Sequence, residues 1–69
     1  MKIIKILSDK EIYRQEFFGH IYSTRELVVN LKTDNGAIMN NVTIKCDGEK
    51  YERLMKHKIV NSEDFELTN

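Results

Sequence analysis

The sequence predicts an α+β fold: a small, curved antiparallel β-sheet of four or five strands, with barrel-like closure as one option, and one α-helix at about 48–58. Three observations predict it. Two alternating apolar runs flank Asn35-Gly36, an amphipathic stripe follows Asp47, and the first third is rich in isoleucine and aromatic residues. The 69 residues read as a single small domain, 1–69, without linker, internal repeat or low-complexity segment.

Lys2 to Leu7 carry the β-branched residues of a first strand. From Ser8 two patterns compete. Ser8-Asp9-Lys10-Glu11 matches a capping box, which would open a helix running to Phe18 and stopping at Gly19. On that helix Ile12, Tyr13, Phe17 and Phe18 scatter around the axis and leave no polar side. As a strand, Tyr13, Phe17 and Ile21 line one face with Gln15 and Gly19, while Ile12, Arg14, Glu16, Phe18, His20 and Tyr22 line the other. The aromatic and β-branched content favours the strand, with Ser8-Asp9-Lys10 as the turn before it.

Next comes a hairpin. Leu27, Val29 and Leu31 share one face before the turn; Ile38, Val42, Ile44 and Cys46 share one after it, interrupted by Asn40. Asn-Gly suits a two-residue turn because both central positions need positive φ. Such a loop pairs Asp34 with Ala37, Val29 with Val42, and Leu27 with Ile44. A three-residue loop would shift the pairing by one and set each apolar face against a polar one, so the two-residue loop is preferred. Leu31 then falls opposite Asn40, a mismatch that a bulge at Asn40-Asn41 would remove by turning Met39 inward.

Asp47 is a good N-cap, with Cys46 before it and Tyr51 inside placed as a hydrophobic staple. Tyr51, Leu54, Met55 and Ile59 recur at helical spacing. Glu49 precedes Arg53, and Glu52 precedes Lys56, by one turn in the favourable order. Lys56, His57 and Lys58 crowd the last turn, where the helix dipole favours cations. The helix is expected from about Gly48 to Lys58, with Asn61 as a stop and Phe65-Glu66-Leu67 as a short closing strand.

A chain of this size buries only about 60% of its unfolded surface, so its core is small. Cys46 is the single cysteine, which excludes an internal disulfide and suits a reducing, cytoplasmic setting. Met1 to Leu7 is too short, and too interrupted by lysine, for a signal peptide or membrane span, so no membrane association is expected. A homo-oligomer is the simplest remaining aid to stability. Eleven basic and eleven acidic residues balance, which removes the electrostatic footprint of a phosphate-gripping protein. The leaning to Ile, Lys and Asn suggests A/T-rich coding and a low-GC bacterial host, or one of its phages or plasmids.

His20, Cys46 and His57 lie far apart, not in the closely spaced pairs of a zinc site. The same spacing gives no reason to join Cys46 to a histidine as a nucleophile. The carboxylates Glu49, Glu52, Glu63, Asp64 and Glu66 form no acid–base pair on one element, and the three glycines are isolated. No enzymatic activity, cofactor or metal is expected.

The binding residues expected from sequence are Arg14, Phe18, His20, Tyr22 and Arg25, with Tyr13, Phe17 and Ile21 turned inward. Exposed aromatics interleaved with arginine are what interaction hot spots use. The competing expectation is that both faces of this segment are covered, by the sheet on one side and the helix or a second subunit on the other. In architecture alone, the strand-strand-helix-strand order resembles small phage and prophage proteins built on barrel-like sheets, and carries no residues across. The expected function is a non-catalytic protein-interaction module, such as a phage or mobile-element regulator or inhibitor that binds a host protein. The alternatives are a barrel that binds single-stranded nucleic acid or a nucleotide, and a structural subunit of a larger assembly.

Overall fold

Leu27 lies opposite Ile44, and Val29 opposite Val42, as the alternation of the two apolar runs requires. The sheet is built around these pairs. In the computed structural model, which describes residues 1–68, the chain forms β1 (Lys2–Phe17), β2 (His20–Lys32), β3 (Ile38–Asp47), α1 (Gly48–His57) and β4 (Glu66–Thr68). The strands pair antiparallel in the order β1-β2-β3-β4. The sheet is open: β1 and β4 are its two edges and do not close into a barrel.

The turn between β2 and β3 is wider than the Asn-Gly pair suggests. Gly36 N–H donates to the Thr33 carbonyl at 3.0 Å, and Thr33 N–H to the Ala37 carbonyl at 2.8 Å. Thr33 therefore faces Ala37 across a three-residue loop, with Gly36 at φ 90°. Taken alone, that loop would misalign the faces. The bulge at Asn40-Asn41 restores them: Leu31 pairs with Met39, Val29 with Val42, and Asn30 faces both asparagines. Asn41 adopts φ 57° and donates its N–H to Asn30 Oδ1 at 3.2 Å. The two one-residue offsets cancel, so the aliphatic pairs meet and Met39 turns toward the core while Ile38 stays out.

β1 departs most from expectation. It does not turn at Ser8-Asp9-Lys10 and is not a helix; it runs unbroken through sixteen residues against the thirteen of β2. The register shifts three times, leaving Ile4, Leu7 and Ile12 as the extra residues. Each bulge resets the alternation, so Ile3, Ile6 and Asp9 face Leu31, Val29 and Leu27 on one side of the sheet. The reversal comes instead at Phe18-Gly19, with φ of 49° and 80° and Phe17 paired to His20. Positive φ at both central residues is the two-residue turn that matches strand twist.

The core lies on one side of the sheet. Ile3, Leu27, Val29, Leu31, Val42, Ile44 and Cys46 meet Leu54 of α1 and Val60, with Tyr51, Phe65 and Leu67 half-buried around them. Asp47 stands at the N-cap in extended conformation, but its side chain makes no capping hydrogen bond. The helix ends at His57, earlier than Asn61, because Lys58 takes the left-handed conformation at φ 58° and returns its N–H to the Leu54 carbonyl at 2.8 Å. Past that cap, Ile59 bridges to Lys2, and Val60 N–H bonds the Met1 carbonyl at 2.7 Å. Ile59 leaves the apolar stripe and is exposed. The ion pairs among the described residues join Met1 to Asp34, Lys10 to Glu26, and Arg25 to Asp9, so the expected Glu49–Arg53 and Glu52–Lys56 pairs are not made.

Leu54 is 1% exposed and carries the contact between helix and sheet. Leu54→Ala should cost roughly 2–5 kcal/mol, read as a lowered midpoint in urea denaturation. Asn41→Val should cost about 1–2 kcal/mol, through left-handed strain at the bulge. In the same experiment Asn41→Gly should stay close to wild type.

Candidate functional site

β3 stays in the sheet only as far as Asp47, which pairs with Thr24. There the chain turns into α1, while β1 and β2 continue together from the Tyr13–Thr24 pair to the Phe18-Gly19 turn. That stretch is a two-stranded arm projecting beyond the core, and it accounts for much of a long axis of 45 Å against 18 and 17 Å across.

Both faces of the arm are open. Tyr13, Phe17 and Ile21, expected inside, are each 56% exposed, and Tyr22 is 59% exposed. The helix does not cover them: it packs further down, over Leu27 and its neighbours. Because the chain reverses at Phe18-Gly19, the arm also sorts its residues differently from one continuous strand. His20 and Tyr22 share a face with their partners Phe17 and Gln15, and with Tyr13. Arg14, opposite Ser23, and Glu16, opposite Ile21, lie on the other face. Of the residues expected to bind, His20 and Tyr22 are brought together, Phe18 stands at the tip, and Arg14 is turned away from them.

Phe18 is the least comfortable residue of the chain. It is 88% exposed and holds φ 49°, a conformation that asparagine or glycine tolerates and a bulky side chain resists. Its ring packs edge to face on Phe17, centroids 4.4 Å apart. Beside them the Tyr13 hydroxyl donates to Gln15 Oε1 at 3.0 Å. One face of the arm thus carries Tyr13, Phe17 and Tyr22, with Phe18 at its end.

Arg25 sits at the root of the arm, on the helix side. Its Nε donates to Asp9 Oδ1 at 2.8 Å, and its guanidinium lies 5.0 Å from the centre of the Tyr51 ring. Tyr51 donates its hydroxyl to Asp9 Oδ2 at 2.6 Å. The three side chains join β1, β2 and α1 at the point where the arm leaves the body. Partial desolvation works against the charge on Asp9, but the hydrogen bonds from Tyr51 and Arg25 outweigh it and hold the carboxyl below its ordinary value. The bond to Asp9, reinforced by desolvation, raises the Tyr51 phenol above its ordinary value. Asp9 and Tyr51 escaped sequence reasoning, since the bulges of β1 hide which of its residues face the helix.

Cys46 is 3% exposed, and burial pushes its thiol pKa up. Among the described residues no group of three or more His, Cys, Asp or Glu side chains is placed to hold a metal ion, and no helix is long and apolar enough to cross a membrane. An open groove of about 440 Å³ runs beside the root of the arm, lined by Tyr13, Ile21, Tyr22, Thr24, Asp47 and Glu49. No protein-family model, curated protein or solved structure matches this chain.

Asp9→Asn should return the Tyr51 phenol toward its ordinary value, as read by NMR titration of the ring. The sign of the pH dependence follows from the two shifts. The contribution of Asp9 to stability is complete above its unfolded-state pKa and falls away as pH drops through the lowered folded value. That of Tyr51 is complete below its ordinary pKa and is lost as pH rises through the raised one. Asp9→Asn should flatten both limbs of the stability profile.

Proposed function

We propose that this chain is a non-catalytic protein-interaction module whose arm captures a protein partner, with Phe18 as the anchor. The observation that supports this reading most is a phenylalanine at a left-handed turn position, 88% exposed. The conformation costs about 1–2 kcal/mol for an ordinary side chain, and the exposed ring adds an unfavourable hydrophobic surface. Strain of this kind persists where function uses it. Burial in a partner's pocket would recover roughly 1.5–3 kcal/mol for the ring, and Tyr22 and Phe17 beside it supply rigid apolar area at small entropic cost.

The arm's charge favours protein over nucleic acid as the partner. Arg14 and Glu16 lie one pair apart on the same face, so phosphate meets a balanced surface and not a basic one. Capture by such an arm works by steric occupation of the partner's surface. That is how a small regulator or inhibitor of a host protein would act.

Phe18→Asn separates the two roles of the turn. Asparagine relieves the left-handed strain, so stability should rise by about 1 kcal/mol, while retention of the captured protein in a pull-down should fall by an order of magnitude or more. Phe18→Ser combined with Tyr22→Ser should abolish retention and leave the circular dichroism of the fold unchanged. Undiminished retention by a folded Phe18→Asn variant would remove Phe18 as the anchor.

A further inference from the structure

The arm has a free edge as well as free faces. β1 is the outermost strand of the sheet. Among the described residues, only its start is covered: Ile3 N–H donates to the Lys58 carbonyl at 2.8 Å, and Val60 N–H to the Met1 carbonyl at 2.7 Å. Bulges at Ile4, Leu7 and Ile12 then break the edge into short pieces that a straight neighbour cannot follow. From Tyr13 to Phe17 the register runs without a shift. This is the longest regular stretch of the exposed edge, ahead of Ser8–Glu11, and it lies on the arm.

The two-residue turn fixes which backbone groups point outward there. Phe17 and His20 flank the turn and exchange both of their hydrogen bonds, and in an antiparallel ladder such pairs alternate with non-bonded ones. Gln15 with Tyr22, and Tyr13 with Thr24, are therefore also bonded pairs, while Arg14 and Glu16 face Ser23 and Ile21 without inward bonds. Arg14 and Glu16 each present an unpaired N–H and C=O to the outside.

We propose that this edge pairs with the same edge of a second copy of the chain, antiparallel about a two-fold axis at Gln15. An antiparallel neighbour must bring its own outward groups to those of Arg14 and Glu16, which leaves few registers. Arg14 opposite Arg14, or Glu16 opposite Glu16, places like charges face to face, and such pairs are destabilising. Arg14 opposite Glu16 of the second copy satisfies four backbone hydrogen bonds, two at each symmetry-related pair, and makes both charge pairs favourable. The same register sets Tyr13 beside Phe17 of the second copy and Gln15 beside its own equivalent. Charge complementarity of the edge with itself thus selects the occupant and the register together.

The pairing answers a physical need of the arm. A two-stranded ribbon is marginal in water by itself, and a third and fourth strand make it cooperative. In the dimer the arms form a four-stranded ribbon with Tyr13, Phe17 and Tyr22 of both copies on one face. Phe18 remains at each tip, so this proposal uses the edge of the arm and not the anchor named above.

Sedimentation velocity over a concentration series up to millimolar tests the idea. The wild type should show a reversible monomer–dimer equilibrium. Arg14→Glu or Glu16→Arg alone should weaken association by about tenfold or more, and the double exchange Arg14→Glu with Glu16→Arg should restore it. Opposed residues in a non-bonded antiparallel pair lie about 4.5 Å apart at Cα, within disulfide reach. Gln15→Cys should therefore give a covalent dimer on air oxidation, and Tyr13→Cys, displaced from the axis, should not; Cys46 stays buried throughout. A wild type that is monomeric at every concentration, charge reversals without effect, or equal cross-linking at Tyr13 and Gln15 would each overturn the dimer. Association unchanged by Phe18→Asn keeps this result separate from the test of the anchor.

Discussion

Every other feature of this protein depends on the ladder between β2 and β3, where Leu27 meets Ile44 and Val29 meets Val42 with none of the four side chains exposed. β2 carries the two long ladders: β1 pairs along one of its edges and β3 along the other. The helix has ten residues and presents Leu54 to this patch, so its reach sets the size of the core. Burial stops where the helix stops. Among the described residues, the part of the hairpin beyond Thr24 and Asp47 has no second layer, and its apolar residues are exposed.

The boundary between body and arm is marked by a change in the kind of interaction. Below it, aliphatic side chains pack against one another; at it, Asp9, Arg25 and Tyr51 form a polar knot across two strands and the helix. A knot of this sort adds direction more than strength, because exposed charge pairs contribute little to stability. It holds the emerging strands at one angle to the body. Above it, among the described residues, the hairpin's backbone hydrogen bonds, the Tyr13–Gln15 side-chain bond and the contact between Phe17 and Phe18 give the arm its form.

The three bulges of β1 give the edge strand its character. Three extra residues lengthen one side of a two-strand ladder, which bends the strand and increases its twist. A bent edge is a poor template for unwanted pairing. The device protects most of the exposed strand and leaves its longest regular piece at Tyr13–Phe17, where the charge pattern is self-complementary. Protection and recognition divide the same strand between them.

The order of hairpin, helix and closing strand from Arg25 onward, the partners across β2 and β3, the bulge at Asn40-Asn41 and the extent of α1 were legible in the sequence, because each rests on interactions among near neighbours with a fixed period. The turn width was misread for a related reason: the Asn-Gly pair fits a two-residue loop, and only the compensating bulge lets a wider one keep the same aliphatic pairs. The first third was opaque. Bulges put Ile3, Ile6 and Asp9 on one face at intervals of three, a spacing nearer to a helix than to a strand, and Phe18-Gly19 has the glycine of a tight turn but a phenylalanine where asparagine or aspartate would announce it. The aromatics and arginines of the candidate site could be named from their types, but their grouping could not. Whether Tyr13, Phe17 and Ile21 lie inside is decided by how far a short helix extends over a long hairpin, and Arg25 becomes part of the root because the fold brings Asp9 and Tyr51 to it. Local periodicity therefore determined the β2–β3 ladder and the helix, while the course of β1 and the exposure of the arm were decided by packing between segments distant in the chain.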